Sequence, residues 1–167
     1  MRALLLLCVF LTGCGGGCGG SDDFPPPPPP PPGCCASTAP IGAEFEAEEQ
    51  EALASYDQAR EATADGRAAG GTYFSGAHLA DVRNMAIQSA DTWTFYALQI
   101  VDSYRPDIDE PAIADMIENH RDSLMGYVLA DYDDFTSSGF NATAVQQVRA
   151  EIVDGMNAEF DALRLAI

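Results

Sequence analysis

A polar residue set inside an apolar pair recurs three times along this chain at one spacing, and it constrains the fold more than any other feature. Phe74, Ser75 and Leu79 form the first set, Ile108, Asp109 and Ile113 the second, and Phe140, Asn141 and Val145 the third. In each, the polar side chain stands where a helix N-cap accepts an orphan backbone N–H. The apolar pair stands just before the cap and four residues beyond it, where contact staples the incoming chain to the first turn. Pro111 strengthens the second set, because a proline in the first turn lacks only an N–H that would have no helical partner. Three such sets predict three helix starts.

The stop signals match them. Gly66, Gly70 and Gly71 close a first helix, Pro106 a second, and Ser137-Ser138-Gly139 a third. Helices are therefore expected near 41–67, 75–104, 109–136 and 141–166, and no stretch alternates at period two as a strand would. Apolar residues recur at three-and-four spacing. The second helix carries Leu79, Val82, Ala86, Trp93, Ala97, Ile100 and Tyr104. The third carries Ile113, Ile117, His120, Leu124, Val128 and Phe135, and the fourth Val145, Val148, Ile152, Met156, Phe160 and Leu163. In the first helix Ile41, Phe45, Ala52, Leu53 and Tyr56 are interrupted by Glu48 and Glu49, so this helix is expected to fray or pack loosely. Short connections make consecutive helices antiparallel. The expected fold class is all-α, an antiparallel up-down four-helix bundle over 41–167, following a Gly/Pro-rich linker over 14–40.

Ahead of the linker, Arg2 precedes an apolar run from Ala3 to Leu11, and Leu11-Thr12-Gly13-Cys14 follows directly. The run is far shorter than the roughly 20 residues of a membrane-spanning helix. Leucine, two small residues and a cysteine at this place resemble the lipobox of a bacterial lipoprotein leader. The resemblance implies that residues 1–13 are a signal peptide and that Cys14 becomes the lipidated first residue of the mature chain. It implies a domain anchored to the bacterial cell envelope through acyl chains, and two or more chains hold stably where one does not. Gly15, rather than Asp, after the lipidated cysteine resembles the pattern that permits export to an outer membrane.

Of the five cysteines, Cys8 leaves with the leader and Cys14 takes the lipid. Cys18, Cys34 and Cys35 remain, all in the linker, so neither a disulfide nor a cysteine metal site holds the domain. An odd number of thiols outside the cytoplasm permits a disulfide-linked dimer through one of the three. Pro25 to Pro32 is an uninterrupted proline run, a polyproline II rod of about 25 Å. With no flanking basic residue to orient it as a ligand, it reads as a spacer that lifts the domain off the bilayer.

The chain carries 8 basic residues, every one arginine, against 26 acidic ones, a formal charge of -18. Nucleic acid and anionic headgroups both require a basic face, so neither is an expected partner of the domain. Such a surface also fits a salty habitat.

Candidate chemistry is sparse. His120 is the ionisable residue on an apolar stripe, and a core histidine can ligate haem or a metal, with Met85, Met116, Met125 or Met156 as a second ligand. His78, in a first turn where the helix dipole disfavours protonation, is expected to be exposed. Carboxylate-bridged two-metal bundles need Glu-x-x-His on two helices. Here Glu118 stands two residues before His120 and no second pair exists. Asp131, Asp133 and Asp134 could attract calcium but lack the glycine and distal glutamate of an EF-hand loop. No Gly-x-Ser-x-Gly occurs, and no catalytic residue stands out.

Two readings follow. The first is a non-enzymatic, lipid-anchored envelope protein whose bundle is an interaction or structural module, meeting an envelope protein through aromatics near Tyr73, Phe74 or Tyr132. The alternative is a carrier of haem, metal or another ligand, with a pocket in the bundle core near His120.

Overall fold

The computed structural model describes residues 38–105, 108–137 and 139–167. The leader, Cys14, the linker cysteines, the proline run, Pro106 and Ser138 lie outside the described residues. Four helices fill the rest: α1 (Ala39–Ala69), α2 (Gly76–Tyr104), α3 (Glu110–Phe135) and α4 (Ala142–Ala166).

All three caps form as their sequence signals imply. Ser75 accepts from the His78 N–H at 3.2 Å, Asp109 from that of Ala112 at 3.4 Å, and Asn141 from that of Ala144 at 3.0 Å. The first helix starts differently, with Pro40 in its first turn and no side-chain bond from its cap, Thr38. It ends at Gly70, and Gly71 follows at a φ of 69°, the left-handed conformation that favours glycine.

Helix α1 corrects the expectation of a frayed element. Ile41, Phe45, Glu49, Ala52 and Tyr56 are all buried, at spacings of four, four, three and four. Glu49 continues the stripe rather than breaking it, while Glu48 sits half-buried at its edge. The other stripes shift slightly. In α2, Ala90 and Val101 are buried, while Ile100 and Tyr104 stay half-covered. In α3, Tyr132 takes the fully buried place expected of Phe135, and its hydroxyl donates to the Val145 carbonyl of α4 at 3.0 Å.

Consecutive helices run antiparallel. The pairs α1–α2, α2–α4, α4–α3 and α3–α1 close the ring, and α1 and α4 make no close backbone approach among the described residues. The two helices α2 and α4 therefore lie side by side in the same direction. Arg83 meets Glu151, Ile87 lies over Gly155, and Trp93 stacks on Phe160 at 5.2 Å. Helices α1 and α3 form the second parallel pair, joined at Glu49–Ser123 and Tyr56–Asp131.

This places the chain's features at two ends. The chain arrives at Ala39 beside the end of α2, the start of α3 and the end of α4. The opposite end gathers the α1–α2 turn, the start of α2, the end of α3 and the start of α4. No helix among the described residues is long and apolar enough to cross a membrane.

Candidate functional site

Among the described residues, the core holds an ionisable pair at the seam between α1 and α3. Glu49, 6% exposed, projects from the buried stripe of α1 towards α3. There it meets His120 and Ser123, three residues apart on one face of α3. The His120 Nδ1–H donates to Glu49 Oε2, and the Ser123 hydroxyl donates to Oε1 at 2.6 Å. The imidazole stacks on Trp93 at 5.3 Å and meets Phe45 edge-on at 5.8 Å. Trp93 in turn donates its indole N–H to the Phe45 carbonyl at 3.2 Å. One wall of the histidine is thus aromatic core. The other opens on a shallow groove of about 350 Å3 lined by Gly42, Glu46, Gln50 and Asn119 as well as the three bonded residues.

His120 therefore occupies the boundary of the core, with its side chain 17% exposed. A carboxylate fixes one ring nitrogen, which assigns the Nδ1–H tautomer to the neutral ring. Ser123 donates to the carboxylate and not to the ring, so the three groups do not form a nucleophile–base–carboxylate relay. Of the methionines named as second ligands, Met85 accepts from the Thr63 hydroxyl, Met156 is buried in the core, and Met116 lies against Gly42 at the edge of this groove. Among the described residues no group of three or more His, Cys, Asp or Glu side chains is placed to hold a metal ion.

Further along the same seam, Asp131 and Asp133 at the end of α3 turn to different partners. Asp131 accepts from Tyr56 at 3.0 Å and pairs with Arg60 at 2.8 Å, whereas Asp133 pairs with Arg149 at 3.2 Å. Burial pushes the Asp131 carboxyl above its usual range, and the Arg60 charge opposes that rise. Burial, then the Asp131 charge, drives the Tyr56 phenol far up. Burial likewise pushes Tyr132 up to about 12.

The end of the bundle away from Ala39 carries a second constellation. His78 is fully buried, which overturns its expected exposure. Its ring lies 4.8 Å from Tyr73 and 4.7 Å from Phe135. Nδ1 donates to the Tyr73 carbonyl at 2.8 Å, and Nε2 is buried with no partner. The connecting segments bring Tyr73 and Phe140 over the helix start and bury it. Tyr132 is also buried and supplies no surface, whereas Phe74 is 61% exposed. Phe74 is nonetheless fixed: it packs edge-on against Tyr73 at 5.0 Å and Phe140 at 5.2 Å. Its ring also lies over Gly139, whose φ is 87° and where a Cβ would collide with it.

Comparison with family models, with curated proteins and with solved structures finds no match. The geometry alone supports a functional reading.

Glu49 is a member of the His120 polar cluster that the sequence does not single out. Its signal was positional, because it falls in register with Phe45, Ala52 and Tyr56. Other exposed apolar side chains lay outside the predicted contact as well. Phe95 and Tyr96 on α2, Tyr127 on α3 and Leu165 on α4 are all exposed. The Tyr127 hydroxyl is already bonded to Asp57 at 2.8 Å.

Proposed function

We propose that this chain is a lipid-anchored protein of the bacterial cell envelope, held through Cys14, whose acidic bundle is an interaction module for an envelope protein. The observation that carries the reading is Phe74, a large aromatic residue fixed yet exposed at the end of the bundle away from the incoming chain. A tethered module offers that end to its surroundings. An exposed aromatic held by its neighbours loses little side-chain freedom on binding, which is the character of an interface anchor. The acidic surface favours a partner with basic or apolar surface.

The test is a photo-crosslinking residue placed at position 74 of the full-length protein in its native cell, with one at the exposed Gln58 of α1 as control. A discrete crosslinked species at 74, absent at 58 and lost with Cys14→Ser, is the expected result. Only diffuse labelling at both positions, or products indifferent to Cys14→Ser, would overturn the reading.

A further inference from the structure

Three of the large exposed apolar residues lie on α2 and α4, the parallel pair: Phe95, Tyr96 and Leu165, the last 90% exposed. Between these helices runs a groove of about 190 Å3 lined by Thr94, Phe95, Leu98, Ala162, Leu163 and Ala166. Its depth has a local cause. The α4 wall presents alanine at two successive turns, so side chains there are short, while Phe95 rises on the α2 side. The Phe95 and Tyr96 rings meet edge-on at 5.3 Å.

The carboxylates on the rim are unanswered, and the cation at its end, Arg105, is held by Asp102 and the backbone oxygens of Ala166 and Ile167. Asp91 and Glu159 border the groove, and neither joins an ion pair among the described residues. The nearest cation along α4, Arg164, is engaged by Glu118 and Asp161. A second copy of this chain would bring the same acidic rim and a charge of -18, so self-pairing here is opposed. An anionic bilayer is opposed for the same reason. The complement of an apolar trough with an anionic rim is a segment that is apolar on one face and cationic on its flanks.

Resting on the interaction-module reading, we infer that the α2–α4 groove at Phe95 takes a basic amphipathic helix of a partner protein, with Phe95 as the anchor and Asp91 and Glu159 as the charged rim.

The probe is a helical peptide of about five turns, leucine on one face and lysine on the other, titrated into the full mature chain carrying Cys14→Ser. Two control peptides replace every lysine by glutamate, or keep the lysines and replace every leucine by serine. Saturable binding of the leucine–lysine peptide alone is expected. Phe95→Ser should weaken it about tenfold, the effect of losing one aromatic anchor. Asp91→Asn with Glu159→Gln should weaken it about threefold at low salt, and Gln58→Ser, at an exposed position of α1, should leave it unchanged. Phe95 is exposed, so its removal spares the core; circular dichroism of each variant checks this.

Equal affinity for Phe95→Ser, or equal binding of the leucine-free peptide, would overturn the inference in favour of charge alone. Binding that appears only after deletion of 25–32 would overturn it in favour of the chain's own proline segment. Crosslinking at position 95 alongside 74 in the native cell separates the two levels. Products at 74 but none at 95 would sink the groove inference alone, whereas none at either would sink the module reading as well.

Discussion

A carboxylate inside a helix bundle is tolerated where its charge is met, and Glu49 meets two donors, His120 and Ser123. The pair is coupled, so its members should not behave independently. His120→Leu supplies a good apolar side chain at the core boundary but leaves Glu49 with Ser123 alone; it should cost about 1–3 kcal/mol in urea unfolding. Adding Glu49→Leu should recover most of that loss, giving a coupling energy of about 1–2 kcal/mol. Additive costs would show that the bond carries no weight. None of this could be read from His120 by itself, because what a core histidine does depends on the group facing it from a helix some seventy residues away. The buried phenols make a second residue-scale case. The Tyr56 and Tyr132 phenols are raised in the folded state above the ordinary value near 10. Their neutral forms support folding below pH ~10, and that support is lost as pH rises beyond it, since the unfolded chain releases those protons first. Phenolate absorbance should therefore develop in two stages, the later one coinciding with loss of helical circular dichroism. Tyr56→Phe should flatten the alkaline loss of stability, and a single absorbance stage well before unfolding would contradict the assignment.

At the scale of elements, the contact of α2 with α4 depends on one missing side chain. A Cβ on Gly155 of α4 would lie 2.7 Å from Ile87 Cγ1 of α2, inside any real contact distance. Alanine is intrinsically the better helix former by about 1 kcal/mol, but here overpacking of about 1–3 kcal/mol opposes it. Gly155→Ala should be destabilising on balance by about 1 kcal/mol, and Ile87→Ala should reverse the sign by opening the space. Urea midpoints of the two single variants and the double variant check this; a stabilising Gly155→Ala would mean that Ile87 moves aside freely. The helices themselves were legible because their starts are local: Ser75, Asp109 and Asn141 each cap a backbone N–H three residues on, a matter of one turn. Helix α1 was half-legible. Its polar face hid the fact that Glu49 stands in register with Phe45 and Tyr56, because residue type was weighed ahead of spacing. The burial of His78 was not legible, since Tyr73 and Phe140, which help cover it, come from connecting segments with no periodicity.

Over the whole molecule, the order of helices around the bundle follows from such long-range fits and not from any local pattern. Short turns between α1 and α2 and between α3 and α4 require antiparallel neighbours, yet they leave open which pairs then lie side by side. Gly155 against Ile87, and Trp93 against Phe160, settle α2 beside α4. The acidic surplus, in contrast, was fully visible, and the structure adds where it goes unanswered. Every arginine among the described residues already pairs with a carboxylate: Arg60, Arg67, Arg83, Arg105, Arg121, Arg149 and Arg164. Those pairs are mostly half-exposed and worth about 0–1 kcal/mol each. The remaining carboxylates among the described residues join no ion pair, and like charges repel most strongly in the compact state. Raising sodium chloride from ~10 mM to ~1 M shortens the screening length from about 30 Å to about 3 Å. It should weaken the ion pairs slightly and the general repulsion much more. The melting midpoint should therefore rise by about 4–8 °C, equivalent to about 1–2 kcal/mol for a domain of this size. Chloride is the suitable salt because sulfate would also strengthen apolar burial by exclusion. A midpoint that falls with salt would instead mean that the arginine pairs outweigh the surplus, and that the acidic surface serves its partners without straining the fold.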